Sequence, residues 1–447
     1  MKIIPVALMI LLSISLSASS DATRGLIIDA NGEIIAKSST VKNKEIRNYP
    51  YGKALSPFIG YTKHKKIDGE TRAFGVNGLE RFFDDEMKPQ QRWWWSVKGN
   101  DIKLNIPISF QTRVESITDA YKKELDADEV LAVVMESKSG KVLSISSSNR
   151  FKPSSIPGEK NTTLINHVLQ ISYEPGTIIT PIIFAMLLDK GLVSPNEMVD
   201  CHNGKYVMGT KTITDIRKFK TLSAEDVIVH SSYIGIAQLA QRLEGKEYAD
   251  VLSRFGFSHF SWTDLPYEKS GSIPDANQLD HYLYKAIVSY GYGMSANLMQ
   301  LIKAYNAINN NGRLINPMIV HSFINHEGKV ETLKNSAPIQ VISASTAQQM
   351  KKILIKTLNE GTGIFPKSRG LEVGGKTGAV HIAKNGQYLD SYNTSFIGFA
   401  NDKSHAYTIA ILTREPRKKY SPSITAAPVF KEIVELMVKE KYLKPKL

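Results

Sequence analysis

The sequence predicts an α/β protein in which one mainly antiparallel sheet is flanked by helices and preceded by a small β-rich N-terminal domain. Three observations point there. Val130-Leu-Ala-Val-Val-Met-Glu followed by Ser139-Gly140-Lys-Val-Leu-Ser-Ile-Ser reads as strand, turn and strand. Alternating strands return at 371–383, 391–400 and 405–413. Helical patterns lie at 177–190, 223–243, 245–255, 296–311 and 344–359, and a last amphipathic helix covers about 427–442.

The chain has 447 residues, 42% apolar and 22% charged, which is the composition of a globular protein with ample core. The net charge of +13 suits acidic surroundings such as anionic lipid or cell wall. No nucleic-acid-binding motif accompanies that charge, so nucleic acid is not expected as a partner. No cofactor or metal motif is expected either.

Taken from the start, Lys2 precedes an apolar segment, residues 3–18, which reads as an export signal. Its 16 residues are fewer than the ~20 usual for a bilayer span. Ser17-Ala18-Ser19-Ser20 offers small residues for cleavage. A retained anchor and a cleaved signal are both open, and either puts the rest outside the cytoplasm. Cys201 is the single cysteine, so no internal disulfide forms. The expected division is 1–20 signal, 21–125 N-terminal domain and 126–447 main domain.

Arg24-Gly25-Leu-Ile-Ile-Asp29-Ala-Asn31-Gly32 reads as a strand and an Asn-Gly turn, with a second strand over Glu33 to Ala36. Gly75-Val-Asn-Gly78-Leu79-Glu80-Arg81 follows, then Phe82-Phe83. Trp93-Trp94-Trp95, beside Arg92 and Lys98, puts rings on both faces of a strand. Packing within the N-terminal domain is the plain reading; contact with a membrane interface or a partner is the alternative.

Three stretches carry the chemistry. In Tyr173-Glu-Pro-Gly-Thr-Ile-Ile-Thr-Pro181 a proline and a glycine end one segment, and an apolar run begins at Thr177. Thr177 is expected to cap a buried helix there, beside unpartnered N–H groups and the positive end of the helix dipole. Thr180 then falls in the first turn. The second stretch, Val229-His230-Ser231-Ser232-Tyr233-Ile234-Gly235, is expected on a loop between helices. In the third, Val373-Gly374-Gly375-Lys376-Thr377-Gly378-Ala379, a strand sets Thr377 and Ala379 on one face. Gly375 and Gly378 let another backbone approach, as peptide addition to a strand requires.

These stretches resemble the three motifs of class B penicillin-binding proteins, the cell-wall transpeptidases of bacteria. The first is similar to Glu-Pro-Gly-Ser-x-x-Lys-Pro, with Thr177 at the nucleophilic Ser and Thr180 at the Lys that handles its proton. The second keeps Ser231 of Ser-x-Asn and has Tyr233 at the Asn. The third keeps Lys376, Thr377 and Gly378 of Lys-Thr-Gly-Thr, and Ala379 replaces the last Thr. The resemblance implies that Ser231 passes protons and that the hydroxyls on the strand hold a substrate carboxylate. Residues 24–32 look like the family's Arg-Gly-x-Ile-x-Asp-Arg-x-Gly segment with Ala30 for the second Arg, and 75–80 like its Gly-x-x-Gly-Leu-Glu. The resemblance extends over nearly the whole chain after the signal, and it names the N-terminal domain a pedestal for a transpeptidase-like domain of penicillin-binding/β-lactamase type.

Four positions depart in the direction of lost chemistry: Thr177, Thr180, Tyr233 and Ala379. A threonine nucleophile needs a base, and the hydroxyl of Thr180 is not one near neutral pH. Lys376 is retained as a candidate; His230 and His381 are conceivable bases, with structural histidines as the plain reading. The expectation is a catalytically impaired homologue, a structural or regulatory subunit of peptidoglycan synthesis on the outer face of the inner membrane, or in the periplasm if the signal is cleaved. It would bind a glycosyltransferase or an active transpeptidase, with weak affinity for stem peptides. The alternative is a working transpeptidase or carboxypeptidase using Thr177; a β-lactam sensor is a third reading. Arg414, Arg417, Lys418, Lys419 and the tail lysines Lys439, Lys441, Lys444 and Lys446 read as solvated faces, or as a contact for anionic wall polymer or lipid.

Overall fold

The computed structural model describes residues 22–42, 44–67, 70–92, 95–156, 164–261, 264, 267–361, 370–384 and 386–445. The signal segment, Trp93, Trp94 and Lys446 lie outside the described residues, as do the side chains of Arg92 and Trp95. No helix among the described residues is long and apolar enough to cross a membrane.

The first hairpin forms as read, with Ile27 opposite Ala36 and Ile28 opposite Ile34. Asp29 closes its turn: Oδ1 accepts from the N–H of Asn31 (2.7 Å) and Glu33 (2.8 Å), and Oδ2 from that of Ile108 (2.9 Å). The two N-terminal motifs meet in the interior. Arg24 Nε lies 2.6 Å from Glu80 Oε2, and Arg47 Nε lies 2.8 Å from Glu80 Oε1. Burial would raise the Glu80 carboxyl, but Arg47 and Arg24 overcome this and hold it below its usual value.

The N-terminal sheet has eight strands in the order Val330–Thr332, Val320–Ile324, Asp101–Leu104, Ile27–Ile28, Ile34–Val41, Lys44–Asn48, Glu70–Asn77 and Tyr61–Ile67. Val320–Ile324 comes from more than 200 residues further along the chain than its neighbour Asp101–Leu104, as the pairing of Phe323 with Ile102 shows.

The second sheet is built from β1 (Glu129–Glu136), β2 (Val142–Ser147), β3 (Glu372–Lys384), β4 (Gln387–Asn401) and β5 (Ala406–Arg414), in the order β2-β1-β5-β4-β3. Every neighbouring pair is antiparallel. Both faces are apolar, and the strand period of two shows in the packing. Val130, Ala132 and Val134 of β1 join a core with Phe110, Val114, Phe430 and Ile433, contributed by helices α1 (Ile108–Leu125) and α7 (Pro422–Lys439). Leu131, Val133 and Met135 join the opposite core with residues of α2 (Thr180–Asp189), α5 (Leu298–Asn309) and α6 (Ala344–Glu360). Packing therefore crosses the division expected at 125–126: α1 lies against the second sheet, and Val320–Ile324 extends the first.

One helical pattern breaks. Residues 223–243 hold two helices, α3 (Ala224–Val229) and α4 (Tyr233–Ala240), because Ser231 sits in the left-handed region at φ 58°. Of the basic residues, Arg417, Lys418, Lys419, Lys439, Lys441 and Lys444 are exposed, and Arg414 is half-buried. Arg414 Nη1 reaches the buried Glu129 Oε2 at 2.8 Å, Arg417 pairs with Asp128, and Lys419 lies 3.2 Å from Glu124. Cys201 is buried.

Candidate active site

Thr177 does not cap a helix. It lies inside a 3-10 turn, Gly176–Ile179, that leads into α2 at Thr180. Gly176 adopts φ 62°, which swings the chain inward, and a Cβ there would sit 3.0 Å from the Ala379 carbonyl oxygen. The turn is thus pressed against β3, and the Thr177 hydroxyl donates across the gap to the Thr377 carbonyl at 3.1 Å. Thr180 Oγ1 donates to the Thr177 carbonyl at 2.9 Å, the ordinary back-bonding of a first-turn threonine.

Lys376 is fully buried, and its ammonium donates to Ser231 Oγ at 2.6 Å and to the Thr377 carbonyl at 3.1 Å. Burial lowers its pKa to about 7. Lys376 and Thr177 therefore share one acceptor, which makes them close neighbours. Among the described residues no base hydrogen-bonds Thr177 Oγ1.

The loop carrying Ser231 is held by residues to which the sequence reading assigned no role. Ser232 caps α4 by accepting from Gly235 N at 2.9 Å, and it donates to Asp215 Oδ2 at 2.5 Å. Asp215 Oδ1 accepts from the N–H of Tyr233 (2.6 Å) and Ile234 (3.1 Å). A serine directly before an apolar helical run was the available signal for the cap; nothing local marks Asp215 as its partner.

The ring of Tyr233 stacks on Tyr290 at 5.1 Å and 16°. Tyr290 meets Tyr292 edge-on, and Tyr292 meets Tyr388. Tyr233, Tyr290, Tyr292, Ala379, His381 and Tyr388 line a cleft of about 590 Å³ beside β3. Tyr233 is thus a wall of the cleft, and its burial raises the phenol pKa. His381 Nδ1–H donates to the Leu389 carbonyl (2.9 Å), and the ring packs on Tyr392. His230 stacks on Phe219, with its pKa lowered by burial. Neither histidine hydrogen-bonds Thr177. Gly378 is dictated by contact: a Cβ would lie 2.7 Å from Ile178 Cγ2 and 2.8 Å from Ser395 Oγ.

Thr177, Thr180, Ser231, Lys376 and Thr377 thus gather where the turn, the α3–α4 loop and β3 meet, with Ala379 and Tyr233 at the cleft. Comparison with known proteins bears on what this junction is. Residues 130–435 match the penicillin binding protein transpeptidase domain. Stage V sporulation protein D of Bacillus subtilis is 28% identical over 449 residues, covering 94% of this chain and 67% of that protein. Penicillin-binding protein PbpB of Mycolicibacterium smegmatis is 28% identical over 358 residues, covering 77% of this chain and 55% of PbpB. The chain spans about half to two thirds of the length of these two relatives. The crystal structure of penicillin binding protein 3 from Mycobacterium tuberculosis superposes with a TM-score of 0.86 at 27% identity, over 95% of this chain and 98% of that one. With the domain matched across more than half of the sequence and the fold shared over nearly all of it, this chain belongs to the class B penicillin-binding proteins.

Proposed function

We propose that the chain serves peptidoglycan synthesis outside the cytoplasm as a catalytically impaired structural or regulatory subunit. In this role it binds a glycosyltransferase or an active transpeptidase and keeps weak affinity for stem peptides along β3. One observation carries the reading: the Thr177 hydroxyl is committed to a backbone carbonyl, and among the described residues no base is bonded to its oxygen. Acyl transfer needs that proton removed, and loss of a positioned base costs on the order of 100- to 10,000-fold. Where nucleophile and base act as a unit, the loss reaches about a millionfold. A methyl group on the nucleophilic carbon adds crowding. The residues 3–18, if uncleaved, would hold the protein at the membrane.

A second reading has its own support. Lys376 at about 7 is partly neutral near physiological pH, is bonded to Ser231, and shares an acceptor with Thr177. A small shift of either side chain would make Lys376 the base of a working threonine transpeptidase or carboxypeptidase. The deciding measurement is intact mass after long incubation with excess benzylpenicillin, on wild type and on Thr177→Ala. No adduct on either folded protein supports the impaired subunit; an adduct on wild type alone overturns it in favour of Thr177 chemistry.

A further inference from the structure

The cleft of about 590 Å³ beside β3 has an unusual lining for a site built around a hydroxyl and an amine. Besides its tyrosines, Ile213, Ile216, Leu283 and Ile287 form its walls. Its polar lining is Lys211, Thr212, Thr214 and His381, and among the described residues no carboxylate lines it. Two large apolar groups of this lining stand in water: Ile216 is 87% exposed and Tyr388 55%. Apolar surface left exposed around a cavity marks a place where another apolar group is buried. The wall is also fixed in place. Glu174 Oε1 accepts from Gly293 N (2.8 Å), next to Tyr292, and from Tyr388 Oη (3.2 Å).

The strand beside the cleft is an edge. Among the described residues β3 ends its sheet and pairs only with β4. Thr377 turns its carbonyl away from β4, toward Thr177 and Lys376. Backbone groups alternate in direction along a strand, so Ala379 and His381 present theirs on the same open side. The His381 backbone meets the Tyr292 hydroxyl there, so the tyrosine wall abuts the strand edge. Ale379 is replaced by no larger group: it is at once a wall of the cleft and a residue of that edge. A peptide pairing at Ala379 therefore brings one of its own side chains to the cleft. Class B penicillin-binding proteins have an amide at the place of Tyr233 and a hydroxyl at that of Ala379. Here a ring and a methyl group stand instead, which exchanges polar contacts for apolar area.

We propose that the cleft takes a large apolar side chain from an extended, uncharged peptide segment paired along β3, the kind of segment a partner protein offers, in preference to a carboxylate-terminated stem peptide. Main-chain hydrogen bonds to the edge supply affinity, and the tyrosine-lined pocket supplies the choice of side chain. The inference rests on the reading of β3 as a peptide-binding strand. It does not depend on whether Thr177 reacts.

The test is saturation-transfer NMR on the full chain, titrated with three peptides. They are acetyl-Ser-Thr-Phe-Thr-Ser-amide, the same peptide with Ala for Phe, and diacetyl-Lys-D-Ala-D-Ala with its free carboxylate. The phenylalanine peptide is expected to bind at least tenfold tighter than either of the others, the scale of burying one large apolar side chain. Ile216→Ser, at an exposed position, is expected to weaken that peptide severalfold and to leave the alanine peptide unchanged. Tyr233→Asn/Ala379→Thr is expected to reverse the preference, binding the D-Ala-D-Ala peptide more tightly than wild type does, a gain that misfolding cannot imitate. Equal binding of the phenylalanine and alanine peptides, or indifference to both variants, would overturn the proposal. Displacement of the phenylalanine peptide by chitotriose would overturn it in favour of a glycan. Binding of the D-Ala-D-Ala peptide alone would overturn it and leave the stem-peptide reading of β3 standing; binding of no peptide would remove both.

Discussion

Thr177 and Lys376 donate to the same carbonyl, and most of what the site can do follows from that. A hydroxyl that is donating has a proton still to lose, and an ammonium that is donating cannot take it. Thr180 stands in the first turn of α2, 2% exposed, three residues after Thr177, where the resembled motif has its lysine. Restoring both groups should therefore restore what neither restores alone. In Thr177→Ser/Thr180→Lys, acylation by benzylpenicillin is expected at least ~100-fold faster than in either single variant, the scale of a positioned base. Time-resolved intact mass checks it; equal rates in double and single variants would mean that Tyr233 and Ala379, rather than the missing base, set the barrier. Lys376 makes a separate prediction. Burial holds its pKa near 7, below the 10.5 of a free lysine. Between those values the unfolded chain binds more protons than the folded one, so stability at this site rises with pH across that window. Replacing the lysine by an isosteric apolar side chain, Lys376→Met, removes that rise. The stability of the variant relative to wild type is expected to be greatest at pH 7 and to shrink toward pH 10, measured by urea denaturation. A difference that stays flat with pH would show that Lys376 is charged in the fold.

The turn before α2 and the strand β3 form one unit at the scale of elements. Gly378 is the point of contact, its missing Cβ leaving room for Ile178 and Ser395. Gly378→Ala must push the turn away from the strand or distort β4, at about 1–3 kcal/mol, the usual cost of overpacking. Ala379→Thr, on the next residue, is only half-buried at the cleft and is expected to change stability by less than ~0.5 kcal/mol. Equal effects of the two in denaturant titrations would argue that turn and strand do not pack as described. These elements also mark how far the sequence could be read. The sheet strands were legible because the apolar runs are buried on both faces, and β3, β4 and β5 fall within a few residues of their expected limits. The cap at Thr177 was misread because a Pro-Gly pair before an apolar run signals a helix start equally well whether or not a 3-10 turn intervenes. The break at Ser231 was hidden for another reason: its left-handed backbone is imposed by Asp215 and Ser232, and Asp215 lies outside the 223–243 pattern. Ser231 and Lys376 were named 145 residues apart from their motifs, and their 2.6 Å contact is tertiary information that spacing alone does not hold.

Across the whole molecule, the sequence division at 125–126 is not a division of the core. One continuous apolar cluster runs from Ile27 and Ile102 of the N-terminal sheet to Leu131 and Leu412 of the second. Val320–Ile324, which follows α5, pairs with Asp101–Leu104, and Phe323 packs edge-on against Phe83 at 5.2 Å. Helix α1 belongs to the N-terminal half by sequence and to the second sheet by packing. A chain of this length ordinarily unfolds domain by domain, but here either half left alone would expose a strand edge and apolar surface normally covered by the other. Unfolding of the chain is therefore expected as one calorimetric transition. Glu80 provides the probe, because it is fully buried in the N-terminal part and compensates both Arg24 and Arg47. Glu80→Ala leaves two buried guanidinium groups short of a partner, a loss of about 3–5 kcal/mol. Because the cores are continuous, that loss is expected to lower the Tm of the whole transition, with near-ultraviolet dichroism of the second sheet's aromatic residues melting at the same lowered temperature. If the variant instead shows an early transition that leaves the Tyr233–Tyr290 cleft signal unchanged, the two sheets are energetically separate and the pedestal can be removed without cost to the site.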